Sequence, residues 1–354
     1  MEESLAPFTP MAAKTLPWGL TTAIRAPATL DLGYPPPFRE PLKKFLQKCL
    51  VFFIGQAWAG LERYENLMVS EKSFELPDLN LGTATEAELA QWLQRHGSKV
   101  VFHQGRYWLV SHAHFYQPVH WLARFKAHEL IKPSAWCWGY RATLDEGSKE
   151  LANAALPIHI FDQLSGFGLS MLPGNKRRNL RVCEKNVEIR TVFDLNTLAE
   201  QGYPLYHSFF SRTRYGHLRP RTIFEKQIRK YFDAGFTTVL GGFVKGRLGG
   251  YLIGMCVEKT AYINMLIVGT EQLPLQISTG LKYAFLKYLS EHKPHITEVA
   301  DGLHALENPG LCRYKELLGF RVIPIPCAVW MLPGCKTFIK HRWPHKYYRI
   351  MGHY

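Results

Sequence analysis

The sequence predicts an α/β (α+β) protein: a mixed sheet flanked by helices in the back half, preceded by a smaller α+β domain. Three observations predict it. Between residues 187 and 331 the apolar period changes in a fixed order: strand, two helices, three strands, a long helix, strand, short helix, strand. Each half contains a β-hairpin marked by its own turn residues. Hydrophobic residues are 47% of the 354 and charged residues 20%, a balance that supports a sizeable core and excludes a disordered chain.

Residues 1–40 hold seven prolines, including Pro35-Pro36-Pro37, and read as an extended arm. The N-terminal α+β domain is placed at 41–172. It opens with Leu42, Phe45, Leu46, Cys49, Leu50 and Phe53 at the three- and four-residue steps of an amphipathic helix. A second helix starts at a capping box, because Thr85 can accept from the amide of Glu88 while Glu88 reaches back. Its Leu89, Trp92 and Leu93 face inward, and Gly97 ends it. Residues 99–103 and 106–110 are strands joined by Gln104-Gly105, and 136–142 and 156–161 are two more.

The second domain is placed at 173–332. It begins with a strand at 187–193 and helices at 195–215 and 222–232. A hairpin of 237–244 and 248–257 turns at Lys245-Gly246-Arg247, and 261–268 is the next strand. The long helix at 275–289 carries Ile277, Leu281, Phe285, Tyr288 and Leu289 at helical steps. A strand at 296–300, a helix at 311–318 stopped by Gly319, and a strand at 321–331 close the domain, and 333–354 is a basic tail.

Four stretches carry a family resemblance: Arg177-Arg178-Asn179-Leu180-Arg181, Ser211-Arg212-Thr213-Arg214-Tyr215-Gly216, Gly249-Gly250-Tyr251-Leu252, and Arg313-Tyr314-Lys315 with Gly319-Phe320. In this order they make residues 173–330 resemble the GNAT acyltransferase fold, in its FemABX-like branch found in polysaccharide and cell-envelope gene clusters. The resemblance implies that the strands at 261–268 and 296–300 splay apart around the donor's pantetheine arm. It also implies that the long helix offers its start to the donor's pyrophosphate, where free N–H groups and the helix dipole favour anions. FemABX-like proteins contain two GNAT-like halves. Met171-Leu-Pro-Gly-Asn-Lys176 echoes Met331-Leu-Pro-Gly-Cys-Lys336, so the front domain reads as a degenerate GNAT-like copy. Two features depart from the pattern: the glycine-rich phosphate loop is replaced by a turn holding Gly280 alone, and no coiled-coil heptads mark a long helical arm.

The function implied is N-acyl or aminoacyl transfer from an activated donor to an amine, on an amino sugar or a cell-envelope precursor. Acyl-CoA is the expected donor and aminoacyl-tRNA the alternative. Acyl transfer to an amine requires a proton acceptor, donors for a developing oxyanion and cations for donor phosphates. Asp301, His304 and Glu307 follow the strand at 296–300 and are the candidate catalytic residues, since sites gather at the carboxyl ends of strands. The same residues also read as an Asp301-Gly302 turn, a satisfied loop histidine and a helix start. Gln276, Ser278, Thr279, Gly280, Arg313 and Lys315 are the candidate donor-binding residues, with helix capping as the alternative for the two hydroxyls. Arg212, Arg214 and Tyr215 are the candidate acceptor-binding residues.

The net charge of +14 favours polyanions, so the rival reading is a non-catalytic GNAT-like module that binds nucleic acid, a glycan or a protein partner. Seven scattered cysteines lack metal or redox spacing and are expected as reduced thiols. His103, His112, His114 and His120 invite a metal reading, but no third ligand follows at a usual spacing and no metal is expected. The first 20 residues lack the continuous apolar stretch of a leader. The longest apolar run, 49–61, falls short of the roughly 20 residues a membrane span needs. The expectation is a cytoplasmic, soluble protein, with peripheral membrane contact left open.

Overall fold

The structure is a computed structural model that describes residues 78–111, 114–213 and 218–352. The proline-rich arm and the helix expected from Leu42 lie outside the described residues, as do His112, Arg214 and Tyr215. The Thr85 capping box forms as predicted at the start of α1 (Glu86–Arg95), whose Leu89 and Trp92 are buried. Strands β1 (Val100–His103) and β2 (Arg106–Ser111) pair antiparallel. Gln104 and Gly105 take φ of 51° and 75°, the left-handed conformation a two-residue hairpin demands.

β3 (Phe115–Pro118) was not legible as a strand, because Phe-Tyr-Gln-Pro shows no apolar alternation and ends on a proline. β4 (Gly139–Thr143) and β5 (Ala154–Phe161) complete the strands of the front half. Trp136 precedes β4 and is 78% exposed, which corrects the expected strand start. A helix that sequence reading missed follows, α2 (Gly174–Asn186), where charged residues outnumber the buried Leu180 and Cys183 and mask the apolar period.

β6 (Glu188–Thr191) leads into a helical turn (Leu195–Thr197), a π-helical turn (Leu198–Gly202) and α3 (Tyr203–Thr213). α4 (Arg221–Arg229) precedes the meander β7 (Thr237–Val244), β8 (Arg247–Val257) and β9 (Thr260–Val268). The long helix α5 (Ile277–His292), β10 (Glu298–Leu303), α6 (Pro309–Glu316) and β11 (Arg321–Met331) follow in the expected order. The basic tail is helical, as α7 (Cys335–Arg342) and α8 (Pro344–Met351).

The eleven strands of the described residues share one sheet in the order β1-β2-β3-β4-β11-β5-β10-β9-β8-β7-β6. The order reads nearly the same from either side of its centre. β3 and β4 are parallel, as are β9 and β10, and between these pairs β11 and β5 run antiparallel to their neighbours. The strand that closes each half therefore lies beside the other half. The repeated Met-Leu-Pro-Gly stretches sit at matching points, ahead of α2 and ahead of α7.

Two main cores lie on the two faces of the sheet. One gathers α1, α3, α4, α7 and α8 over residues such as Tyr251, Ile253 and Ile158. The other gathers α2 and α5 over Leu240, Leu252 and Val299. α5 approaches the sheet closely because Gly254 lies beneath it, where a Cβ would sit 2.5 Å from the Phe285 ring. At Gly280 the same helix meets α2, and a Cβ there would collide with Cys183 Sγ.

Candidate functional site

β9 and β10 pair only at 260–262 with 298–300 and then diverge. Each strand carries an irregularity where they part. In β9 the register against β8 shifts around Asn264, and in β10 Asp301 and Gly302 together oppose a single residue of β5, with Gly302 at φ of 76°. The expected Asp301-Gly302 turn is thus a bulge inside a strand. It turns the Asp301 side chain into the opening.

A cavity of about 710 Å³ fills the gap. Ile263 to Val268 of β9 form one wall and Asp301 to Leu303 of β10 the opposite one. Tyr206, Phe209 and Phe210 of α3 line one end, while Ser278 and Lys282 of α5 and Tyr314 and Lys315 of α6 line the other. Because α3 and α5 pack on opposite faces, the cavity passes through the sheet. Among the described residues its charged lining is Arg212, Arg219, Lys282, Lys315, Arg349 and, as the one carboxylate, Asp301.

Lys282 Nζ donates to Asp301 Oδ2, and Lys315 Nζ donates to the Asp301 carbonyl oxygen while lying 3.7 Å from Oδ1. All three are buried, at 1%, 6% and 7% exposure for Lys282, Asp301 and Lys315. Burial pulls the Lys315 pKa below the ordinary lysine value and Asp301 draws it back up. Lys282 and Lys176 both lie over the Tyr314 ring, 4.9 and 4.6 Å from its centroid. The Tyr314 hydroxyl makes no full hydrogen bond, and burial raises its pKa to about 12 although Ser278 and Thr279 stand near enough to oppose the shift. On β5, opposite the bulge, His159 is 0% exposed with neither ring nitrogen bonded. Burial, then Lys315, lower its pKa to about 4, so it is neutral.

The residues expected from sequence separate into those on the cavity wall and those away from it. Asp301, Ser278, Lys315 and Arg212 line the cavity. His304 Nδ1 is instead 2.9 Å from the Tyr348 hydroxyl, and Glu307 pairs with Arg349. Thr279 and Gly280 are buried behind Ser278, which is the first-turn residue of α5 that reaches the cavity. Gln276 holds a left-handed conformation and donates to Leu273 O at 3.5 Å. Arg313 points outward in an ion pair with Glu316 at 3.3 Å. Lys282, Lys176, Arg219 and Arg349 escaped sequence reading. The available signal for Lys282 was a lysine at an inward position of an apolar helix, between Leu281 and Tyr283.

Among the described residues no group of histidine, cysteine and carboxylate side chains is arranged to hold a metal ion. His120, one of the histidines of the metal reading, lies 2.8 Å from the Tyr262 hydroxyl. Cys137, Cys183, Cys256, Cys312 and Cys327 are buried free thiols. No described helix is long and apolar enough to cross a membrane.

No family model and no curated protein matches the chain. Solved structures do. FemX is similar with a TM-score of 0.52 and 10% identity over 77% of this chain and 96% of that one. L-PGS from Bacillus licheniformis gives a TM-score of 0.48 and 12% identity over 79% and 99%. A tandem GNAT protein from the clavulanic acid biosynthesis pathway gives 0.39 and 14% over 73% and 90%. The similarity to FemX shows that the chain has the GNAT-type, FemABX-like fold that its sequence predicts.

Proposed function

We propose that the chain transfers an acyl or aminoacyl group from an activated donor to an amine within the cavity between β9 and β10. One observation carries this reading: the two parallel strands part after three residue pairs and leave a cavity across the sheet, lined among the described residues by five cations and one carboxylate. Such a lining fits an anionic donor, because clustered cations raise the local concentration of polyanionic ligands. Acyl-CoA is the proposed donor, its phosphates meeting Arg212 and Arg219, and an amino sugar or cell-envelope precursor is the proposed acceptor. Ser278 and Lys315 remain proposed donor contacts. The buried start of α5 gives Thr279 and Gly280 no direct contact.

Asp301 takes a different part from the proton acceptor read in the sequence. Two lysines already engage it, so its geometry supports holding them in place. The division into domains at 172 and 173 is likewise a proposal, resting on the near-symmetric strand order and the repeated Met-Leu-Pro-Gly stretches.

Thermal unfolding with acetyl-CoA, longer acyl-CoAs, aminoacyl-tRNA and heparin tests the function. A donor present at 100 times its Kd should stabilise the protein by about 2.7 kcal/mol. The donor that does so would then be assayed with a panel of amines for release of its thiol or its tRNA. Stabilisation by heparin alone would replace transfer with polyanion binding.

A further inference from the structure

We propose that the outer surface of α7 and α8 docks on an anionic phospholipid membrane, with Phe338 and Trp343 entering the headgroup region and Lys340, Arg342 and Lys346 meeting lipid phosphates. Both helices bury one face, through Ile339 on α7 and Tyr347, Tyr348 and Met351 on α8. What they leave outside is aromatic and basic. Phe338 is 61% exposed, and Trp343, the single residue between the two helices, is 40% exposed. Their rings meet edge to face with centroids 5.6 Å apart, so the two form one apolar patch. The Arg342 guanidinium lies 5.7 Å from the Trp343 ring centroid and Lys346 Nζ lies 5.2 Å from it. Lys340 stands on α7 two residues beyond Phe338 and is exposed.

Charge complementarity selects a negatively charged partner. Residues 333–354 hold five lysines and arginines and no aspartate or glutamate. Arg349 pairs with Glu307, whereas Lys340, Arg342 and Lys346 pair with no carboxylate among the described residues. Cations left without counter-charge attract an anionic surface, and near an anionic bilayer each one adds to the attraction. The aromatic pair selects a bilayer over a nucleic acid. Successive bases stack on ring faces that lie parallel, but the planes of Phe338 and Trp343 stand at 88°, and two cations already lie against Trp343. The headgroup region asks for no parallel platform. A tryptophan settles there because its body is apolar and its N–H finds a polar partner, while long basic side chains reach the phosphates. α8 also joins this surface to the cavity, because Arg349 on the same helix lines it. The docking stands whether or not acyl transfer takes place in that cavity.

The test sediments the full chain with vesicles of phosphatidylcholine alone or of phosphatidylcholine mixed with phosphatidylglycerol. The mixed vesicles should bind about 100-fold more tightly, the product of about 5-fold for each of three cations. Added salt should weaken that binding, because it screens exposed charges. Lys340→Gln combined with Lys346→Gln should weaken it about 25-fold. Phe338→Ala and, separately, Trp343→Ala should each weaken it about 10-fold by removing apolar surface that enters the interface. If Trp343→Ala fails to fold, Phe338→Ala keeps the test decisive, since that side chain is largely exposed and its loss should leave the unfolding midpoint in place. The docking is overturned if the mixed vesicles bind no more tightly than phosphatidylcholine alone, or if the folded variants bind them as the unsubstituted protein does. Single-stranded DNA takes the place of vesicles in a parallel arm. DNA binding that these variants lose, without vesicle binding, would overturn the membrane and assign the surface to nucleic acid.

Discussion

Replacing His159 with Leu should both stabilise the protein and flatten its response to acid. The imidazole lies at 0% exposure with both nitrogens unbonded, so it carries a desolvation cost of about 1–3 kcal/mol per unsatisfied group that an apolar side chain of similar size avoids. Burial, reinforced by Lys315, lowers its pKa from 6.5 to about 4. A base whose pKa is lower in the fold binds its proton more tightly when unfolded. The stability linked to its neutral form is complete above pH 6.5 and is lost as the pH falls toward 4. At about 1.4 kcal/mol per pH unit across that interval, the loss amounts to about 3 kcal/mol by pH 4. Urea unfolding of both proteins at several pH values between 7 and 4 would read it. Subtracting the two curves removes the other titrating groups, which the proteins share. Parallel curves across this range would show that His159 is not held neutral by the fold, and would refute the reasoning.

Asp301→Asn leaves Lys282 and Lys315 buried without their counter-charge and should cost about 3–5 kcal/mol in chemical denaturation. Unchanged stability with a selective loss of turnover would restore Asp301 as the proton acceptor. Gly280→Ala drives a methyl group into Cys183 Sγ and should destabilise by about 1–3 kcal/mol despite the better helix propensity of alanine. An unshifted urea midpoint would show that the contact between α2 and α5 yields freely. Arg313→Ala removes an exposed ion pair on one helix and should change stability by less than about 0.5 kcal/mol, with donor affinity unaltered. A donor Kd raised more than 5-fold in that variant would return Arg313 to the binding site.

Local signals in the sequence determined most of the fold. The capping box at Thr85, the left-handed Gln104-Gly105 turn, the hairpin about Lys245-Gly246 and the apolar period of α5 act within a few residues, and each element formed close to its expected place. The order of those elements was enough to predict the GNAT-type fold that the similarity to FemX shows. Where the local signal was weak, the reading failed: β3 has no apolar alternation and ends on a proline, and the charges of α2 mask its two buried apolar residues. The Asp301-Gly302 pair has the chemistry of a turn, yet pairing with β5 makes it a bulge, because register against a neighbouring strand is invisible to composition. The site depended still more on tertiary structure. Asp301 was legible at the end of its strand, but its lysine partners lie 19 and 14 residues away in sequence, on two helices that only packing brings together. Lys176 comes from a third helix in a different stretch of the chain. His304 and Glu307 were equally plausible in sequence, and only the fold shows that helix α8 offers them Tyr348 and Arg349 as partners. Hydrophobic period and turn chemistry are encoded residue by residue, whereas the charge balance of a buried site is set by which helices meet, and that was decided only when the sheet closed.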